Sequence, residues 1–216
     1  MLTDTHTHLY SDSFNEDRGT MMQRAFDAGV KRFFIPAIDS ETTEAMYQLE
    51  KEYPENIFLM MGLHPTSVKE NYKEELKHVE EQLAKRKFYA IGEIGIDLYW
   101  DKSTLDIQIE AFKHQINLAK KHQLPIVIHC REAFDEIFEV LEQEKADNLY
   151  GVFHCFTGNA TDAQRVINLD GFYLGIGGVL TFKNSGLDTT SNSISTFNFS
   201  MTSCRPNKIG IAIPSS

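Results

Sequence analysis

Thr5-His6-Thr7-His8 closes the first β-rich run of the chain, where a period of two sends both imidazoles to one face and lets them converge on one ion. Alone, such a pair is as often structural as metal-binding. Three further apolar runs end the same way, in Gly62-Leu63-His64, Ile126-Val127-Ile128-His129 and Val152-Phe153-His154. Phe88-Tyr89-Ala90-Ile91 leads into Gly92-Glu93-Ile94-Gly95-Ile96-Asp97 and so ends on a carboxylate. Imidazole nitrogen with carboxylate oxygen suits zinc, manganese or another divalent cation. His6, His8, Glu93, His129 and His154 suffice for a two-metal site with Glu93 between the ions. Such a pair can activate a water and clamp both oxygens of an in-line displacement at phosphorus.

These groups need a scaffold that brings strand ends together. Strand candidates are residues 2–6, 32–38, 57–64, 88–94, 125–130, 150–155 and 171–176, with amphipathic stretches between them. Leu105, Ile109, Phe112, Ile116 and Ala119 form the clearest helical stripe; Leu76, Val79, Leu83 and Phe134, Ile137, Phe138, Leu141 form two more. Strand–helix alternation implies parallel strands with right-handed crossovers, in an open doubly wound sheet or a barrel. No Gly-x-Gly-x-x-Gly turn follows the first strand, which removes the main support for a dinucleotide-binding sheet. The expected fold is an α/β, TIM-type (β/α) barrel, incomplete, with about seven of eight strands. The C-terminal strand ends of such a barrel face the active site.

The net charge of −10 argues against a broad basic surface for nucleic acid, but bound metals supply positive charge locally. No apolar run approaches the ~20 residues of a membrane span, and the first residues carry no secretion signal, so a cytoplasmic protein without a membrane partner is expected. The three cysteines form no C-x-x-C pair. Cys130 and Cys155 each follow a candidate histidine, so strand alternation predicts buried free thiols facing the helices.

In order along the chain, D-T-H-T-H, G-L-H-P, G-E-I-G-I-D, I-H-C-R and H-C-F-T-G resemble the motifs of the TatD family of metal-dependent deoxyribonucleases, up to about Gly186. The resemblance implies an amidohydrolase-like barrel that hydrolyses phosphodiester bonds in DNA with two divalent ions (Mg, Mn or Zn). It places His6 and His8 on the first metal, Glu93 between the two, and His129 and His154 on the second. His64 and Arg131 are then candidates for binding the substrate phosphate. A metal-dependent amidohydrolase acting on an amide or lactone would use much the same ligands. G-L-H-P, and the lack of a strand-borne lysine between Leu98 and Pro125, favour the phosphodiesterase. No protein partner is implied.

The sequence departs from the family after Asp188. It contains no E-T-D-x-P-Y-L segment, whose aspartate binds metal and helps activate water, so no catalytic base is assigned. Residues 189–216 hold seven Ser, four Thr and three Asn, no acidic residue, and only Arg205 and Lys208 as basic ones. The expected organisation is a shortened barrel domain, 1–188, and an atypical tail, 189–216, read as an out-of-frame or substituted ending. Impaired activity, or a non-catalytic fragment, follows from that reading.

Overall fold

The computed structural model describes residues 1–182. The expected tail, 189–216, lies outside them. Among the described residues, seven parallel strands alternate with six α-helices: β1 Leu2–Asp4, α1 Arg18–Asp27, β2 Val30–Ile35, α2 Thr43–Glu52, β3 Ile57–Leu59, α3 Tyr72–Lys85, β4 Ile91–Asp97, α4 Leu105–His122, β5 Ile126–Arg131, α5 Phe134–Gln143, β6 Gly151–Phe153, α6 Ala160–Ile167 and β7 Phe172–Leu174.

The strands pair in sequence order as β1-β2-β3 and β4-β5-β6-β7. A parallel bridge, Met61 to Ile91, joins the two groups. Met61 N–H donates to Ala90 O at 3.1 Å and Gly92 N–H to Met61 O at 3.0 Å. The sheet curls far enough for the His6 ring, just past β1, to stack on the His154 ring, just past β6, with centroids 3.3 Å apart. This is the TIM-type (β/α) barrel with seven strands; among the described residues none lies between β7 and β1.

Most of the core lies between strands and helices, where Ile91, Ile94, Ile126 and Ile128 meet Phe112, Ile116, Ile137 and Phe138. Met60, Ala90 and Val127 form a second, small cluster with Phe34 and Val152. Strand alternation places this cluster inside the barrel.

The helical stripes are present with one difference. Phe112, Ile116 and Ala119 of α4 are buried, but so are Gln108 and Gln115, whereas Leu105 and Ile109 are only partly covered. The strands are mostly shorter than expected. β3 ends at Leu59, not His64, and β1 at Asp4, not His6. Among the described residues no helix is long and apolar enough to cross a membrane.

Candidate metal centre

Glu93 stands at the centre of the site, 2% exposed. Its Oε2 lies 3.0 Å from His6 Nε2, 3.6 Å from His8 Nε2 and 3.7 Å from His64 Nε2, while its Oε1 lies 3.0 Å from His129 Nδ1. Burial pushes the carboxyl up, but the nearby imidazoles, His6 first and the hydrogen-bonded His129 next, outweigh it and hold Glu93 well below the usual carboxylate range.

A bulge in β4 aims this carboxylate inward. Ile91 pairs with Ile126 and Ile94 with Ile128, so three steps on β4 match two on β5. Ala90 faces the interior before the bulge and Glu93, Gly95 and Asp97 after it, while Ile91, Ile94 and Ile96 stay in the outer core. Gly95 is required here. Its φ is +142°, and a Cβ would fall 2.0 Å from His129 O. The Glu93 backbone is held across the barrel, its N–H donating to Ala37 O at 3.2 Å.

His6 and His8 converge as expected, but not through strand alternation, because both lie beyond β1. Thr7 N–H donates to Phe34 O at 3.1 Å and keeps this stretch beside β2. Tyr10 sets the His8 tautomer. The phenol donates to Pro36 O at 3.0 Å, so its oxygen accepts from His8 Nδ1 at 2.9 Å and leaves Nε2 with a free lone pair towards Glu93. Both ring nitrogens of His6 are buried without a hydrogen-bond partner, the 3.0 Å approach to Glu93 being poorly aligned. Buried imidazole nitrogens left this way suit a metal ion.

His129, on β5, bonds Asp97 Oδ2 through Nε2 at 2.8 Å and turns Nδ1 towards Glu93. Burial lowers its pKa, but the hydrogen bonds and charges of Glu93 and Asp97 more than reverse that, and the net shift is upward. His64 is not at a strand end. Pro65 cannot continue a ladder, and His64 instead caps a short turn, Pro65–Ser67. Its Nδ1 accepts from Thr66 N–H at 3.2 Å, so the proton of the neutral ring sits on Nε2, 3.2 Å from His129 Nδ1. Burial, the largest cause, lowers the His64 pKa to about 4.

Two groups of donor atoms therefore converge, His6–His8–Glu93 and His64–Glu93–His129, and share Glu93. His154 belongs to neither. It stacks on His6 with 11° between the rings, and burial first, then the His6 charge, lowers its pKa to about 3. His6 and His154 line a cavity of about 180 Å³ with Asp4, Val152, Cys155 and Gly177. Arg131 stands apart from both groups, its guanidinium 3.7 Å from the Tyr99 ring centroid.

Cys130 packs against the outer core as expected, half-buried. Cys155 does not. It sits in the turn after β6 with φ at 43° and lines the cavity, because the strand stops at Phe153. Asp97 and Tyr10 are the residues that sequence reasoning missed. Asp97 was within reach, four residues after Glu93 in an alternating run.

The match to the model described as TatD related DNase covers residues 3–196. The chain belongs to this family. The TatD relatives include the uncharacterized metal-dependent hydrolase YabD of Bacillus subtilis, 39% identical over 185 residues, 86% of this chain and 72% of YabD. The 3′-5′ ssDNA/RNA exonuclease TatD of Shigella flexneri is 31% identical over 186 residues, 86% of this chain and 70% of that protein. Among solved structures, the TatD homologue YjjV of Escherichia coli superposes with a TM-score of 0.80 at 30% identity, covering 88% of this chain and 73% of YjjV.

Proposed function

We propose that this TatD-family chain is a divalent-metal-dependent hydrolase that cleaves phosphodiester bonds in DNA. One observation carries the reading: a single buried carboxylate whose two oxygens face different sets of imidazoles. His6, His8 and Glu93 would hold one ion, and Glu93 with His129 a second. His154 would reach that second ion only by turning away from its stack on His6. The bound ions would supply positive charge to the phosphate and acidify a water, a chemistry suited to magnesium, manganese or zinc.

The remaining residues position and donate. With metal bound, Tyr10 and Asp97 would keep the ring protons of His8 and His129 on the outer nitrogens and leave a lone pair of each facing inward. His64, with its proton on Nε2, fits a donor to a phosphate oxygen better than a ligand. The exonuclease relative named for ssDNA and RNA supports a nucleic-acid substrate.

The test is hydrolysis of an end-labelled single-stranded DNA with added Mg²⁺, Mn²⁺ or Zn²⁺, beside His6→Ala and Glu93→Ala proteins. Metal-dependent cleavage that both substitutions abolish is expected. Hydrolysis of an amide or lactone, with DNA untouched, would replace this reading with the amidohydrolase.

A further inference from the structure

We propose that Tyr99, Trp100 and Arg131 form a platform that receives an unpaired base of a single-stranded DNA at the rim of the Glu93 cluster. The proposal rests on the phosphodiesterase reading. The segment leaving β4 carries two aromatic rings into solvent, Tyr99 49% and Trp100 71% exposed. They meet edge to face, with centroids 4.8 Å apart and planes at 90°. Large aromatics left uncovered side by side mark a surface that is covered by something else.

The third member is a cation. The Arg131 guanidinium lies 3.7 Å from the Tyr99 ring centroid and 5.6 Å from that of Trp100. A planar cation over an aromatic face is already set for a second planar group. Among the described residues no carboxylate pairs with Arg131, so its charge is available to the phosphate beside a stacked base.

Position ties the platform to the cluster twice. Tyr99 N–H donates to Asp97 Oδ1 at 3.0 Å, while Asp97 Oδ2 bonds His129 Nε2 at 2.8 Å. Arg131 is two residues beyond His129 on β5 and shares its face. β4 with the segment that leaves it, and β5, therefore each supply both a platform residue and a residue of the cluster. Aromatic faces accept any base, so little sequence preference is expected. A base inside a duplex is covered on both faces and cannot use the platform, so single strands are selected.

Trp100 is the one tryptophan of the chain, which gives a readout that does not depend on turnover. The protein in Mg²⁺ is titrated with a phosphorothioate thymidine hexamer, and separately with a phosphorothioate hexamer of abasic sugars. The thymidine strand is expected to quench Trp100 emission saturably and to bind about tenfold or more tightly than the abasic one. By anisotropy of a labelled strand, Trp100→Ala should bring thymidine binding to the abasic level, and Trp100→Phe should restore it. Equal binding of the two strands with unchanged emission overturns the platform and leaves the nuclease reading standing. Binding of neither strand overturns both.

Discussion

Gln115 and Leu63, 52 residues apart, exchange two hydrogen bonds: Leu63 N–H donates to Gln115 Oε1 at 2.7 Å and Gln115 Nε2 to Leu63 O at 3.1 Å. One helical face repeats the device with Gln108, which accepts from Asp97 N–H at 2.8 Å and donates to Asp97 O at 3.1 Å. Leu63 precedes His64, and Asp97 holds His129. Helix α4 thus takes the place of a neighbouring strand at the two points where the site leaves the sheet, satisfying backbone groups that burial would otherwise strand.

Replacing either glutamine by leucine keeps the volume near that of the amide but leaves a buried N–H and C=O unpaired. Each change should lower stability by about 1–3 kcal/mol in urea denaturation. Gln115→Leu should also weaken DNA hydrolysis through His64.

Gly95→Ala puts a methyl group 2.0 Å from His129 O on backbone at φ +142°. A loss of about 3 kcal/mol or more is expected, with failure to bind metal in whatever folds. Gly19→Ala, where a Cβ meets nothing within 4 Å in α1, is the control and should be neutral or stabilising by up to about 1 kcal/mol in thermal unfolding.

Tyr10→Phe keeps the buried ring and removes the oxygen that accepts from His8 Nδ1. Metal affinity should fall by roughly 10- to 100-fold, measured by calorimetric titration, while the fold persists. An affinity equal to the parent's would show that the His8 tautomer is set by something else.

Asp97→Asn tests the matching relationship on the other side of the site. An asparagine can turn an N–H towards His129 Nε2 and draw the ring proton to Nδ1, away from the tautomer a metal needs. A loss of roughly 10- to 100-fold in metal affinity is expected.

The alternating pattern and the helical stripes made the barrel legible, and histidines repeated at strand ends marked the rim. Other features came from pairings that period cannot show. The bulge between Ile91 and Ile94 turns Glu93 to the inner face, which a regular strand in phase with Ile91 would not do. Gln108 and Gln115 look like breaks in an apolar stripe until their partners, far along the chain, are known. His64 ends an apolar run, yet Pro65 gives it a turn and a fixed proton. Cys155 was expected on a strand that stops two residues earlier.

The central claim is that Glu93 joins two sets of ligands, and Mn²⁺ titration followed by electron paramagnetic resonance tests it most directly. The parent protein should bind Mn²⁺ saturably, and Glu93→Gln, which keeps the shape and removes the charge, should lose binding at both positions together. Parent-like Mn²⁺ binding by Glu93→Gln, or loss of one ion with the other unchanged, would contradict the account.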